Sequence, residues 1–396
     1  MIKLILVINS GSSSIKFSLY KDQSSGLNLF YHGQISDLDT HAQIKIIDAD
    51  KKTLVQQKLS TNGHEQGFKA LFSWLEDLSL QHGRLIAVGH RVVHGGSYFT
   101  QPVIVQKKMM EEMERLIPLA PLHQPHNLEA IKIIAQLYPE LPQIACFDTL
   151  FHQTQHSLAK LFALPRALTA TGIIRYGFHG LSYEYIASVL PQYLGELAHE
   201  KIIVAHLGNG ASMCALSQGK SVATTMGFTA LDGLMMGTRT GSIDPGVVLY
   251  LLEHKSYSTA QVQRLLYNES GLLGVSGLTN NVQELLKHAQ ESPVQEAIDL
   301  FCYRAAQEAS ALCVALGGCD ALIFTAGIGE NVPLFRKKIC EYLAWMGIRL
   351  LDDANDRNAH HISAPDSKIK VGVIPTNEEL MIARHVRTIC ENNIPI

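Results

Sequence analysis

Apolar runs of four to eight residues recur along the chain, each closed by glycine, serine or asparagine and separated by stretches whose apolar residues repeat at helical spacing. The first, "LILVINSGSSSIKFSL" (4–19), reads as a strand, a Gly/Ser corner and a second, alternating strand. About half a chain later "KIIVAHLGNGASMCAL" (201–216) repeats the plan. The repetition suggests two domains built on one design, although two unrelated hairpins fit the pattern as well. "RLIAVGHRVVHGG" (84–96) predicts a strand running into a glycine stop, and "PHNLEAIKIIAQLYP" (125–139) a helix bounded by prolines. That helix feeds the strand "PQIACFD" (142–148), which puts Asp148 at a strand's carboxyl end, where open α/β sheets place ligands. A long helix is expected over 292–318, with Ser292 as cap, Pro293 in the first turn and Gly317–Gly318 as stop. Its Ile298, Phe301, Cys302, Ala305, Ala309, Leu312 and Val314 mark it as largely buried. Residues 320–347 read as strand, glycine turn and helix, with Glu330 or Asn331 capping a helix that begins near Pro333. The alternation of strands with helices predicts an α/β fold.

Composition then narrows the function. At 396 residues the chain exceeds the roughly 250–300 that one core supports, so two domains are expected. A net charge of −3, with no dense Lys/Arg stripe, argues against nucleic acid as a partner. The seven cysteines form no CxxC pair and lie in apolar segments, which points away from a disulfide framework or zinc ribbon and toward a reducing compartment. No apolar run approaches the roughly 18–20 residues of a membrane span, and the opening lacks a signal-peptide pattern. A cytoplasmic protein with a small ligand and no membrane partner is the expectation.

Glycine and serine corners let backbone N–H groups converge on one point, a nest suited to phosphate oxygens or metal-bound water. "GIGEN" (327–331) lets the backbone approach an anionic or flat ligand, but it lacks the third glycine of a dinucleotide fingerprint and comes late in the chain. Polar residues gather in other loops: Arg91 beside two histidines, His123 between prolines, Asp148, His179 in "YGFHG" just ahead of a helix capped by Ser182, Arg239 in "GTRTG", and Asn377–Glu378 after a strand. The pairs His90/His94 and His152/His156 have i, i+4 spacing but no HExxH glutamate, so neither reads as a zinc site.

Taken in order, "NSGSSSIKF", "GHRVVHGG", "APLHQPHN", "CFDTLFHQ", "YGFHG", "HLGNGAS", "MGFTALDGLMMGTRTGSIDPG", "TAGIGEN" and "TNEE" resemble the acetate kinases, within the superfamily of acetate and sugar kinases, chaperone ATPases and actin. The resemblance runs from Ile5 to about Arg384. It implies two actin-like (ribonuclease H-like) domains from a duplicated unit, residues 1–149 plus 380–396 and 150–379, with the active site in the interdomain cleft. It implies a homodimer that uses Mg²⁺ (or Mn²⁺) and ATP/ADP to phosphorylate acetate reversibly to acetyl phosphate.

Carried over by position, the resemblance assigns Asn9 and Glu378 to the metal and Lys16 to ATP. It makes His206, Leu207, Gly208, Asn209 and Gly210 a phosphate-binding corner, and Gly327, Ile328, Gly329, Glu330 and Asn331 an adenosine-binding turn beside Asn281, Val282 and Gln283. Arg91 becomes a substrate ligand, with Val93, Leu122, Phe178 and Ala230 as the apolar wall. His179 and Arg239 become transition-state stabilisers, and Asp148 the proton donor or acceptor. A short carboxylic acid is already ionised at pH 7, however, so Asp148 reads better as an orienter of an arginine or of metal-bound water.

The chain departs from the resemblance at Ala230, often proline, which predicts a somewhat better use of propionate. It departs again at Asn281 and Gln283, where an Asp-x-Arg segment is frequent, so the nucleotide preference stays open. A propionate or butyrate kinase of the same fold, or a chaperone- or filament-like ATPase, are the competing readings.

Overall fold

The structure is a computed structural model that describes residues 2–393. The strands are β1 (Lys3–Ser10), β2 (Ile15–Gln23), β3 (Gly26–Ser36), β4 (Gln43–Asp48), β5 (Thr53–Lys58), β6 (Arg84–Val92), β7 (Val103–Ile104), β8 (Gln143–Phe147), β9 (Ile202–Leu207), β10 (Ala211–Ser217), β11 (Lys220–Thr224), β12 (Ala321–Thr325) and β13 (Lys370–Val373). They form an eight-stranded sheet, β5-β4-β3-β2-β1-β6-β8-β7, and a five-stranded sheet, β11-β10-β9-β12-β13. The chain divides into two compact units, one holding residues up to Leu150 and those from Asn377 onward, the other Phe151–Thr376.

The first unit is a sheet covered on both faces. Strand β1 is apolar at every position from Leu4 to Ile8 because both of its faces are buried. Leu4, Leu6 and Ile8 join a core with Phe68, Leu71, Phe72 and Leu75 of the helix His64–His82 and with Ala130, Ile133 and Ile134 of the helix Gln124–Leu137. The helix Glu378–Asn393 packs on β1 and β6. Gly89 makes its close approach possible, since a Cβ there would lie 2.5 Å from Ile382 and 2.7 Å from Val386. The second unit buries Tyr183, Ile186 and Leu190 of the helix Gly180–Leu194 against Ile202, Val204, Cys214, Leu216 and Ile323. The helix Ser292–Leu316 packs on β10 and β11.

Five strands in each unit share one plan. β1 runs antiparallel to β2, β2 antiparallel to β3, and β1, β6 and β8 are parallel; β9, β10, β11, β12 and β13 repeat that order and those senses. The paired corners of the sequence are thus the first hairpin turns of two copies of one sheet.

Several local expectations give way. Ser292 is the first helical residue rather than the cap, which is Glu291, and its hydroxyl bonds Glu296. Val314 is 83% exposed: it lies two residues, about 200° of helix, from buried Leu312. "GIGEN" is no turn, because the short helix Ala326–Asn331 starts directly after β12. Neither Glu330 nor Asn331 caps the next helix, Pro333–Tyr342, whose cap is Val332. Glu330 instead accepts from the backbone N–H groups of Ala326 and Thr376, and Asn331 donates to the Gly327 carbonyl. The first unit resumes at Asn377, not at 380, because the helix beginning at Glu378 covers its sheet; the expected stretch to 396 includes 394–396, which lie outside the described residues. Among the described residues no helix is long and apolar enough to cross a membrane.

Candidate active site

In the first unit three charged groups meet at the carboxyl ends of parallel strands. Arg91 sits near the end of β6, paired with Cys146 of β8, and Asp148 follows β8 directly. Arg91 donates from Nε to both Asp148 oxygens at 3.1 Å and from Nη2 to Oδ2 at 2.7 Å. The guanidinium is fixed in its plane along that edge, while Nη1 stands 3.7 Å from Glu378 Oε2. Burial works against the charge on Arg91, but Asp148 and Glu378 outweigh it and hold the group above its ordinary range. Burial pushes the Glu378 carboxyl up to about 7, helped by Asp148 and Glu379 and opposed by Arg91 and Lys16. Excess negative charge in a buried place suits a cation.

Asn377 fixes the start of the helix that carries Glu378, its Oδ1 accepting from Leu380 N at 2.9 Å. Asn9, one residue before the end of β1, pairs with Lys16 of β2, whose side chain is exposed. The corner between these strands is tied by Gly11 N–H to the Ser14 carbonyl at 2.9 Å and by a His64 contact to the Gly11 carbonyl at 2.8 Å. Ser10 Oγ is buried there with no hydrogen-bond partner. Asn127 joins the ends of β1 and β6, donating to the Ser10 carbonyl and accepting from Val93 N–H. Val93 is buried, and Leu122 is exposed at 36%.

In the second unit imidazoles and hydroxyls gather beside the glycine corner. His179 has φ +56°, a left-handed conformation, and immediately precedes the helix Gly180–Leu194. Its ring stacks on His206, with centroids 4.2 Å apart and planes at 17°. His179 Nδ1 meets Ser212 Oγ at 2.8 Å, and Ser212 also bonds the Tyr183 hydroxyl. His206 Nδ1 meets Ser182 Oγ at 2.8 Å, and Ser182 in turn meets Thr376 Oγ1 at 2.8 Å. Ser182 therefore lies inside the helix and positions an imidazole, where the sequence suggested a cap. Two stacked imidazoles cannot both hold a positive charge at low cost.

The corner 208–210 closes with Gly208 N–H to the Gly210 carbonyl at 3.1 Å. Leu207 is buried beneath it. Asn209 takes Gly237 N–H on its carbonyl and Asn280 Nδ2 on its Oδ1. A Cβ on Gly210 would stand 3.3 Å from His179 Nε2, which brings that imidazole to the corner. Arg239 donates from Nη1 to the Ala230 carbonyl at 3.0 Å, so the residue that departs from the family pattern holds this arginine.

Phe178 is buried, and its carbonyl meets His152 Nε2; burial lowers the His152 pKa to about 4. Asn281 caps the helix Val282–Lys287 through its side chain, accepting from Gln283 and Glu284 N–H, and Val282 is buried. Arg336 is fully buried, with burial lowering its pKa to about 10, and it bonds the carbonyls of Gly329, Glu330 and Asn355 and the side chains of Asn355 and Asn358. It therefore satisfies carbonyls at the end of the short "GIGEN" helix.

Sequence reasoning passed over Asn127, Ser212, Tyr183, Thr376 and Arg336. Asn127, Ser212 and Thr376 lie at the ends of the motifs "APLHQPHN", "HLGNGAS" and "TNEE", which was their only signal. The first unit carries Asn9, Lys16, Arg91, Val93, Leu122, Asp148 and Glu378, of which it brings Arg91, Asp148 and Glu378 together. The second carries Phe178, His179, His206–Gly210, Ala230, Arg239, Asn281–Gln283 and Gly327–Asn331.

Residues 4–384 match the acetokinase family. The chain is 51% identical to an acetate kinase of Rhodopseudomonas palustris, over 98% of each chain. Among solved structures it is similar to a propionate kinase from Francisella tularensis, with a TM-score of 0.91, 38% identity and coverage of 97% of this chain and 98% of that one. It is also similar to the acetate kinase of Porphyromonas gingivalis, with a TM-score of 0.88, 35% identity and coverage of 98% and 99%.

Proposed function

The chain belongs to the acetokinase family, with its actin-like fold, and on that premise we propose that it transfers the γ-phosphoryl group of ATP reversibly to acetate, giving acetyl phosphate and ADP. The observation that carries the acceptor side is the locked Arg91 guanidinium: Asp148 occupies its Nε and Nη2 edge, while Nη1 stands 3.7 Å from Glu378, too far for a hydrogen bond, and keeps its donors for a substrate carboxylate.

The reaction needs little covalent help. A carboxylate oxygen forms a bond to phosphorus as the bond to the bridging oxygen of ADP breaks, and charge spreads over three equatorial oxygens. The acceptor has a pKa of roughly 4–5 and arrives ionised, so no proton has to leave it. Asp148 then serves as the orienter of Arg91. Arg239 and His179 supply positive charge and a hydrogen bond to the transferring group, and the glycine corner at 208–210 offers backbone N–H groups to phosphate oxygens. Asn9 and Glu378 present hard oxygen donors and an excess of negative charge, a set that fits Mg²⁺. When bound, Mg²⁺ neutralises charge on the phosphates.

A second reading, propionate as the preferred acid, draws on Ala230. A smaller residue there enlarges the apolar wall, and one methylene is worth about 1–3 kcal/mol of discrimination. We further propose a cytoplasmic homodimer. The helix Pro245–His254, "PGVVLYLLEH", buries none of its residues and exposes Val247, Leu249 and Tyr250, a surface suited to a second copy.

The deciding experiment is steady-state kinetics over acetate, propionate and butyrate with ATP and GTP, trapping the acyl phosphate as a hydroxamate. Acid-dependent hydroxamate formation is expected; ATP hydrolysis indifferent to added acid would instead favour an ATPase switch. The Asp148→Asn variant should lose rate without changing the shape of the pH–rate profile. A profile that flattens in the variant would return Asp148 to acid–base duty.

A further inference from the structure

Away from the groups assigned above, one cluster in the first unit combines ligand atoms of the right kind with a geometry that hydrogen bonding does not account for. His64 is the first residue of the helix His64–His82, and His126 and Glu129 are three apart on the helix Gln124–Leu137, which packs against it. His64 Nδ1 lies 3.7 Å and His126 Nδ1 3.8 Å from the same oxygen, Glu129 Oε2. The three ligand atoms lie within 4.8 Å of one another. The two imidazoles are nearly parallel, with centroids 5.7 Å apart. Both nitrogen–oxygen distances are too long for hydrogen bonds. His126 Nδ1 is shielded from water and has no hydrogen-bond partner.

The tautomer of His64 follows from its other nitrogen. Nε2 stands 2.8 Å from the Gly11 carbonyl, which can only accept, so Nε2 carries the proton. In the neutral ring Nδ1 is then a bare lone pair facing a carboxylate oxygen. Such a lone pair and a carboxylate repel one another unless a proton or a metal cation stands between them, and at 3.7–3.8 Å no hydrogen bond bridges either imidazole to Glu129. The pattern of a ligating histidine whose remote N–H is anchored on a backbone carbonyl is the usual support of a metal-bound imidazole.

We propose that His64 Nδ1, His126 Nδ1 and Glu129 Oε2 form a binding site for one divalent transition cation of the zinc class, with water completing the coordination. Imidazole nitrogen selects such ions over Mg²⁺, whose preference is for oxygen. With metal–ligand bonds of about 2.0–2.2 Å, tetrahedral ligand atoms stand about 3.3–3.5 Å apart, so the triad closes by side-chain rotation alone. His126 and Glu129, at 32% and 48% exposure, have room to make that movement, while His64, at 9%, is the fixed member. The site is tied to the serine corner, since a cation on Nδ1 makes the His64 Nε2–H a stronger donor to Gly11. It is separate from the Asn9 and Glu378 set and does not depend on the reaction proposed above.

The test uses the full-length protein stripped with EDTA and dialysed, and titrated with Co²⁺ alone. Wild type should develop the intense visible bands of low-coordinate cobalt at one equivalent and lose them to one equivalent of Zn²⁺. His126→Ala and Glu129→Gln, both half-exposed positions whose fold is checked by circular dichroism in EDTA, should each weaken Zn²⁺ binding at least about tenfold in competition with a chromophoric chelator. They should also abolish the rise in Tm that Zn²⁺ gives the wild type. If the variants bind Zn²⁺ as tightly as wild type, the ion sits elsewhere among the 18 histidines and the proposal is overturned. Only the weak bands of octahedral cobalt in the wild type would overturn it equally.

Discussion

The two units carry the same five-strand arrangement yet decorate its functional edge differently. The first places an arginine and two carboxylates there, Arg91, Asp148 and Glu378. The second places paired imidazoles, hydroxyls and a tight glycine corner. Their corners differ as well. At 11–13 the chain is exposed and held through its carbonyls, Gly11 by His64 and Ser13 by the Leu38 N–H, and a Cβ on Gly11 meets nothing closer than the Ser14 carbonyl at 3.6 Å. At 208–210 Asn209 is gripped by Gly237 and Asn280, and His179 stands against Gly210. A duplicated scaffold fixes where side chains can gather, and the side chains decide the chemistry.

The sharpest way to break this division of labour is at Arg239. Arg239→Ala should lower kcat on the order of 10³-fold with a small change in acetate KM, and Arg239→Lys should not restore it, because a point charge cannot reproduce a planar fork. A loss confined to KM would move Arg239 to the acceptor role assigned to Arg91. The contrast between corners comes next. In Gly237→Ala the new Cβ would sit 2.0 Å from Asn209 Oδ1, forcing that side chain off Asn280 at a cost of about 1–3 kcal/mol, whereas Gly11→Ala should stay within about 0.5 kcal/mol. Denaturant midpoints of the two variants measure this, and equal values would erase the distinction.

Acid should then press harder on the first unit. Burial lowers His90 and His94 in the first unit and His152 in the second to about 4. Between the unfolded value near 6.5 and 4, the unfolded chain binds the extra protons, so stability falls with pH by about 1 kcal/mol per unit per histidine. Urea midpoints from pH 7 to 4 should follow that slope, and His152→Gln should remove one histidine's share. The smallest effect is at Ala230: Ala230→Pro should shift the propionate-to-acetate ratio of kcat/KM several-fold toward acetate. An unchanged ratio would free the acid preference from this position.

Much of the scaffold was legible because it is written in short-range pattern. The two apolar runs with glycine corners announced matching hairpins, and the strand ending at Phe147 placed Asp148 at a sheet edge. What the pattern missed depends on partners distant in sequence. Ser182 looks like a cap and instead serves His206, because β9 passes beside its helix. Glu330 looks like a cap and instead gathers two backbone N–H groups, one of them at Thr376. Val314 is apolar yet faces away from the core. The ion pair of Arg91 with Asp148 links residues 57 positions apart, so spacing alone carries no trace of it.

The first unit is also the last to be finished. Its sheet is made early in synthesis, but the helix Glu378–Asn393 that covers β1 and β6 is translated only after more than two hundred intervening residues. At about 5–20 residues per second the ribosome leaves that apolar face bare for roughly 10–45 s. During that interval Gly89 awaits Ile382 and Val386, so a nascent chain stalled before residue 378 exposes a sticky sheet and becomes a client for chaperones.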